Sequence, residues 1–419
     1  MRHWLFLLLA FLAAPFANAV ETEVAVPITL EQVIVNVLEK NPQLGINDFE
    51  SRAAAARIRQ AQLKTPYEIR VGLENGIGSG NYGGIDQLET TISLVKILES
   101  GNSVSSRTEL ATTQATLLRN EQDSKRLDLL AEATERFIHV VIDQHRLRIA
   151  QEQLELTKHT HGVVTERVNA GKSHAAEARR TAIAVARAEI ELEHAEHELA
   201  VSRLTLSTTW GEINPKFGDA QAELFSLAPV DSFEQLKVLL SNNPELIRLT
   251  TEERVTQARL GLAQSRRTPN LELSGGIRHF NDTNDAALMF SVGIPFGARS
   301  RAQPQIDEMR YLGKREPLRH EQTRLRLYST LFQIYQELFH AKTAFEALSQ
   351  RIIPDAEQAA KDYEHGYKRG RFSLLELNEA QQALLDARLE AVMTAANYHR
   401  LKIEIERLTG AALHSGEQS

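Results

Sequence analysis

The chain has 419 residues, 42% of them hydrophobic, a formal net charge of −7 and no cysteine. That length allows a large core or several domains, and a mild, evenly spread acidity argues against nucleic acid as a partner, which needs a basic stripe. Without cysteine there is no disulfide, no thiol catalysis and no thiolate metal site.

Residues 1–19 read as a secretory signal peptide. Arg2 and His3 precede an apolar run from Trp4 to Ala14, and Ala17-Asn18-Ala19 supplies small residues for cleavage after Ala19. No cysteine follows the cleavage point, so a lipoprotein anchor is not expected. Beyond Ala19 no apolar run approaches the roughly 18–20 residues of a membrane helix.

The rest reads as one plan written twice. The first repeat covers residues 20–213 and the second 232–410. A linker, 214–231, carries Pro215, Gly218 and Pro229, and 411–419 form a tail. Glu31-Gln32 and Asn41-Pro42 return as Glu234-Gln235 and Asn243-Pro244, and Thr65-Pro66 returns as Thr268-Pro269. Ala170-Gly171-Lys172 corresponds to Arg369-Gly370-Arg371, and the repeats close on Trp210-Gly211 and Thr409-Gly410.

Each repeat is expected to run helix, β-hairpin, coiled-coil hairpin. Tyr67, Ile69, Val71 and Leu73 alternate with Glu68, Arg70, Gly72 and Glu74, and the alternation resumes from Leu88 to Leu94. The second repeat alternates at Leu271–Ile277 and Leu288–Ile294. A period of two marks strands, so β-hairpins are placed at 66–97 and 269–296. Each run is about ten residues, enough for a tilted strand to cross a bilayer. The glycines between Gly76 and Gly84 lead into a strand rather than a helix, which excludes a dinucleotide phosphate loop. They read as the loop of a β-hairpin.

The coiled-coil hairpins are placed at 103–210 and 302–408. Ser103 to Glu166 contains no proline, and at ~1.5 Å per residue would span roughly 90 Å. A second helix is expected from Ala175 to Ser207, a third from Ile306 to Glu364 and a fourth from Leu374 to Leu408. Pro317 and Pro354 are expected to kink or break the third. Four strands cannot close a barrel, since the smallest single-chain bacterial barrels have about eight. Unpaired edges are not tolerated in lipid. If the strands span a membrane, several chains must pool them.

These features resemble the outer-membrane efflux factors, the TolC family, and within it the heavy-metal branch typified by CzcC. The resemblance rests on the duplication, on Thr29-Leu30-Glu31-Gln32 with Asn41-Pro42, on Tyr82-Gly83-Gly84, and on Gly293-Ile294-Pro295-Phe296 at the end of the fourth strand. Ile97-Leu98-Glu99-Ser100-Gly101 is similar to that branch's Leu-Glu-Leu-Gly-Gly run, with Ser100 a departure. The resemblance implies a mixed α/β membrane protein. In it a homotrimer pools four strands per chain into a twelve-stranded outer-membrane barrel, continued by a coiled-coil tunnel through the periplasm.

The implied activity is passive conduction, without catalysis or cofactor, in a tripartite system with a periplasmic adaptor and an inner-membrane RND pump. Heavy-metal cations such as cobalt, zinc or cadmium are the expected cargo. Glu68, Arg70, Glu74, Glu89, Glu272 and Arg278 would face the barrel lumen. Ala170, Gly171, Lys172, Arg369, Gly370 and Arg371 would form the tips that the adaptor grips. By counting from Gly370, Glu376 and Glu379 stand where many relatives carry gate aspartates. The alternatives are a channel for drugs or type I protein secretion and, in another class, a periplasmic coiled-coil adaptor.

Two Glu-x-x-His pairs, Glu191/His194 and Glu337/His340, have the spacing of di-iron helices. His197, Glu193 and Glu198 add possible metal ligands, and His159-Thr160-His161 is a weaker signal. The Glu191, His194, Glu198 face lies opposite Ile190, Leu192, Ala195 and Leu199, hence toward solvent, so no metal or catalytic site is assigned.

Overall fold

The computed structural model describes residues 26–410; the expected signal peptide and tail lie outside the described residues. Strand β1 (Val26–Thr29) leads into α1 (Leu30–Lys40), which a capping box opens: Thr29 N–H donates to Gln32 Oε1 at 3.0 Å and Gln32 N–H to Thr29 Oγ1 at 3.3 Å. Helix α2 (Pro42–Gln62) starts on an Asn41 cap with proline in its first turn, where the missing N–H costs nothing. The second repeat copies this with α5 (Phe233–Leu239), capped by Ser232 and Gln235, and α6 (Pro244–Ser265), capped by Asn243.

The Asn-Pro pairs have a second use. Asn41 Nδ2 donates to Thr209 O at 2.6 Å and Asn243 Nδ2 to Leu408 O at 2.8 Å. In each repeat one asparagine caps the outgoing helix while holding the end of the returning one.

Strands β2 (Tyr67–Glu74), β3 (Glu89–Leu98), β5 (Leu271–Phe280) and β6 (Asp285–Gly293) form one antiparallel sheet in the order β2-β3-β5-β6. The β3–β5 pairing joins the repeats, and among the described residues β2 and β6 are open edges. Helix α3 (Ser103–Asn169) is unbroken over 67 residues, about 100 Å at 1.5 Å per residue. Next come α4 (Ala175–Ser207), α7 (Ala298–Ala347), α8 (Ile353–Lys368) and α9 (Leu374–Thr409).

Next to the sheet the helices pack side by side as α2-α3-α6-α7, the order of the strands they adjoin. Toward the far end the row is α4-α3-α9-α8. Between these rows lie two apolar cores. Val33, Val37, Phe137, Val140, Leu206 and Trp210 build one; Leu246, Leu331, Tyr398 and Leu401 contribute to the other.

Two features depart from the sequence reading. The segment 214–231 is more than a linker, because β4 (Phe217–Gln221) pairs in parallel with β1. Pro317 does not break its helix: α7 runs through both Pro304 and Pro317. Pro317 is exposed, so a freed carbonyl there can turn to water. The interruption comes later, as a π turn at Leu348–Ile352, and Pro354 sits in the first turn of α8.

Candidate functional site

Residues directly opposite each other in neighbouring strands share a sheet face. The pairings Glu74↔Glu89, Thr91↔Arg278 and Ile97↔Glu272 therefore put Glu68, Arg70, Glu74, Glu89, Glu272 and Arg278 on one face. Ile69, Val71, Leu73, Ile92, Leu94, Ile277, Phe290 and Val292 occupy the other. That apolar face is bare in the single chain, with Ile69 73% and Phe290 80% exposed. A contiguous apolar sheet surface of this kind needs a nonaqueous neighbour.

The polar face is ordered by two arginines. Arg70 pairs with Glu68 at 3.3 Å and with Glu272 at 3.1 Å. Arg278 pairs with Glu74 at 3.0 Å and Glu89 at 2.7 Å, and its Nε donates to Thr91 Oγ1 at 2.9 Å. Each guanidinium serves two carboxylates, so the six residues carry a net negative charge.

Below the sheet, Arg107 forms a polar joint. Its Nε donates to Ala61 O at 2.6 Å, and its terminal nitrogens reach Leu63 O and the Glu99 carboxylate. Glu99 also accepts from Thr65 N–H and Oγ1, both at 2.9 Å. The Arg107 hydrogen bond is the main cause that holds the Glu99 carboxyl at about 2, with the Thr65 bonds assisting against desolvation. Ser100 is used here: its N–H donates to Asn270 Oδ1 at 3.1 Å and its hydroxyl bonds Pro269 O.

At the other end both hairpins turn through the same motif. Gly171 has φ +68° and Gly370 φ +73°, the left-handed region that favours glycine. Lys172 N–H donates to Arg167 O and Arg371 N–H to Gly366 O, each at 2.8 Å, closing a Schellman turn after α3 and α8. Ala170 and Arg369 are the residues just before these glycines. All six tip residues are exposed.

The tips are tied together by residues not singled out from the sequence. Arg167, in the last turn of α3, donates to Tyr367 O at 2.9 Å and Lys368 O at 3.1 Å, and its guanidinium lies 4.8 Å from the Tyr367 ring centre. A cation is well placed on the last carbonyls of α8, which carry the negative end of the helix dipole. Tyr367 Oη donates to Glu177 Oε2 at 3.2 Å. Val164, Tyr367, Leu374 and Leu377 form a small apolar core beneath these bonds. The only sequence signal was an arginine at a helix end, which does not name its target.

The gate candidates differ from each other. Glu376 folds back into a capping box, accepting from Ser373 N–H and Oγ at 2.8 Å each. The bond from the Ser373 backbone is the first cause that lowers its carboxyl below the ordinary range. Glu379, one turn on, is exposed.

Glu191, His194, His197 and Glu198 are exposed on α4, and among the described residues no group of three or more His, Asp or Glu stands ready to hold a metal. His159 instead pairs with Glu364 at 3.0 Å, and His161 Nδ1 meets Thr181 Oγ1 at 2.7 Å.

Residues 33–212 and 236–411 match the family of outer membrane efflux proteins. The chain belongs to that family, whose members are outer-membrane channels of efflux systems. Among named relatives it is 26% identical over 389 residues to the cobalt-zinc-cadmium resistance protein CzcC of Cupriavidus metallidurans, covering 93% of this chain and 91% of that one. In fold it is similar to CusC, with a TM-score of 0.76, 16% identity and 92% of each chain covered. The open-state MtrE channel of Neisseria gonorrhoeae gives a TM-score of 0.75 at 16% identity, over 93% of this chain and 91% of that one. The outer-membrane channel OprN gives 0.76 at 16% identity, over 91% and 90%.

Proposed function

We propose that three copies of the chain close a twelve-stranded barrel in the outer membrane. The barrel would conduct heavy-metal cations, cobalt, zinc or cadmium, delivered by a periplasmic adaptor and an inner-membrane RND pump. The carrying observation is the four-stranded sheet, with ion-paired charges on one face, bare apolar side chains on the other and both edges open. Open edges are incompatible with lipid, and joining β6 of one copy to β2 of the next removes them. A head-to-tail contact of this kind closes into a ring.

The helices support the same closure. Helix α7 adjoins the β6 edge and exposes Tyr311, Leu318, Leu325, Phe332 and Phe339, an apolar stripe with a seven-residue period. Helix α2 adjoins the β2 edge and α4 heads the row at the far end; together they expose Ile46, Phe49, Ile183, Ile190 and Leu204. Sevenfold spacing is the pattern of a coiled-coil seam, so each edge offers what the other lacks. In the ring the charged sheet face lines water, and its excess of carboxylates favours cations.

The cargo reading rests on the named relative and on that lumen charge; the chain itself catalyses no reaction. The hairpin tips at Ala170–Lys172 and Arg369–Arg371 form the adaptor-facing end, and Glu379 is the better placed of the two gate carboxylates. Native mass spectrometry of the detergent-solubilised protein should give trimers. Deleting the gene should sensitise cells to cobalt, zinc or cadmium. Sensitivity to antibiotics with metal tolerance intact would reassign the cargo.

A further inference from the structure

A cavity of about 350 Å³ lies where the start of α1, the middle of α3, the segment after β4 and the end of α9 meet. Its floor is apolar, from Phe137, Val141, Leu224 and Ile403, each 5% exposed or less. Glu223, His399, Lys402 and Glu406 supply its charged and titratable groups. Ligand cavities have this make-up, an apolar body with a few convergent polar groups, and this one is at the small end of their range of roughly 300–1,000 Å³.

The polar groups define what could bind. Glu406 has a side chain 19% exposed, and its nearest charged neighbour is Lys402, 3.9 Å away, beyond hydrogen-bond distance. Burial pushes its carboxyl up. His399 meets Leu224 O through Nε2 at 2.9 Å. A carbonyl only accepts, so Nε2 carries the proton and Nδ1 is left with a lone pair. Burial, together with Lys402, lowers this imidazole, which keeps it neutral near pH 7. The cavity thus presents two carboxylates and an acceptor nitrogen against one ammonium. An anion would meet a charge excess of its own sign. A bare metal ion finds too few ligands, since no three His, Asp or Glu converge among the described residues.

We propose that this cavity is a binding site for a small organic cation, a one-ring or short-chain amine whose apolar body rests on Phe137 and Leu224 and whose ammonium pairs with Glu406. The proposal is independent of the cargo conducted through the pore. An ammonium at Glu406 would supply the hydrogen bond that Lys402 is too far away to give, and the floor would lose contact with water.

The test uses the full-length protein in detergent and 2-phenylethylammonium as probe, followed by saturation-transfer NMR and calorimetry. Phenylethanol and phenylacetate serve as neutral and anionic matches. Saturable binding of the amine is expected, with both matches weaker by about tenfold or more, the scale of one lost charge-assisted contact. Glu406→Gln should weaken the amine by a similar factor. Ala222→Trp, at the exposed mouth, should block it without touching the floor, so a folding defect in one variant leaves the other to decide. Absence of saturable binding, equal binding of the anion, or binding indifferent to both substitutions would overturn the site.

Discussion

The two repeats share a plan and diverge at the same three stations, and the divergence shows which half holds the other. At the sheet end the first repeat has the Arg107–Glu99 joint, five residues after Asn102, the cap of α3. The second repeat has Ala302 five residues after Gly297, the cap of α7, packed with Ala263 and Ile306. Midway, α3 is continuous whereas α7 passes through a π turn into α8. At the tips, the first repeat supplies Arg167 and Glu177, and the second offers the carbonyls and the Tyr367 hydroxyl they hold. A continuous rod, braced within its own repeat at the sheet end and clamped onto the other hairpin at the tip, is the frame, and the interrupted hairpin is the part it restrains there.

The largest test of that contrast is Arg107→Ala. It removes the main partner of Glu99, whose side chain is 9% exposed, and breaking an enclosed pair costs roughly 3–5 kcal/mol. Chemical denaturation should show this loss, while Ala302→Gly on the other repeat should cost about 1 kcal/mol, the helix penalty of glycine. The joint also sets an acid limit. The Glu99 carboxyl is depressed to about 2 from 4.5, so its contribution is complete above the ordinary carboxylate range and is lost as pH falls through about 2. Glu99→Gln should flatten the stability profile between those values.

Next in size is Arg167→Ala, which strips two carbonyl bonds and a ring contact from the tip, together worth about 2 kcal/mol. Hydrogen exchange should speed up in the last turns of α8, around Tyr367, and far less along α3. Equal acceleration in both hairpins would end the distinction between frame and restrained part. The asparagine pair gives a finer comparison. Asn243 is 4% exposed and Asn41 only partly buried, so Asn243→Ala should cost about 2 kcal/mol and Asn41→Ala about 1 kcal/mol. Thermal melts of the two variants measure the difference.

How far the sequence showed these features depends on how local their causes are. The alternation at Tyr67–Leu73 is legible because successive side chains fall on opposite faces of the sheet, one apolar and one charged, and that requirement acts residue by residue. The glycines at 171 and 370 are legible because a positive φ is a property of one residue. Strand β4 was not, because five residues between Pro215 and Pro229 carry too little pattern, and its partner β1 lies about 190 positions earlier. Nor was the π turn, since Pro354 marks a helix start as readily as a break. The Arg167 clamp was hidden for a third reason: its acceptors are backbone carbonyls, which have no sequence signature.

The smallest predicted effect separates the two carboxylates proposed for the gate. Glu376 and Glu379 lie three residues apart on α9, hence on neighbouring positions of one helix face, yet only Glu376 is held by a serine cap. Its carboxyl is lowered first by the Ser373 backbone and then by the Ser373 hydroxyl. A depressed carboxylate contributes above the ordinary range and loses that contribution as pH falls below it. Ser373→Ala removes only the hydroxyl, so the Glu376 carboxyl should move part of the way back toward the ordinary range, and NMR titration of its side chain would follow the shift. Single-channel recording would then compare Glu376→Gln with Glu379→Gln. A carboxylate committed to a cap has less freedom to meet an ion, so Glu379→Gln should change divalent-cation block of the pore more than Glu376→Gln. The reverse order would mean that the cap opens in the assembled pore and that Glu376 is the residue that meets the ion.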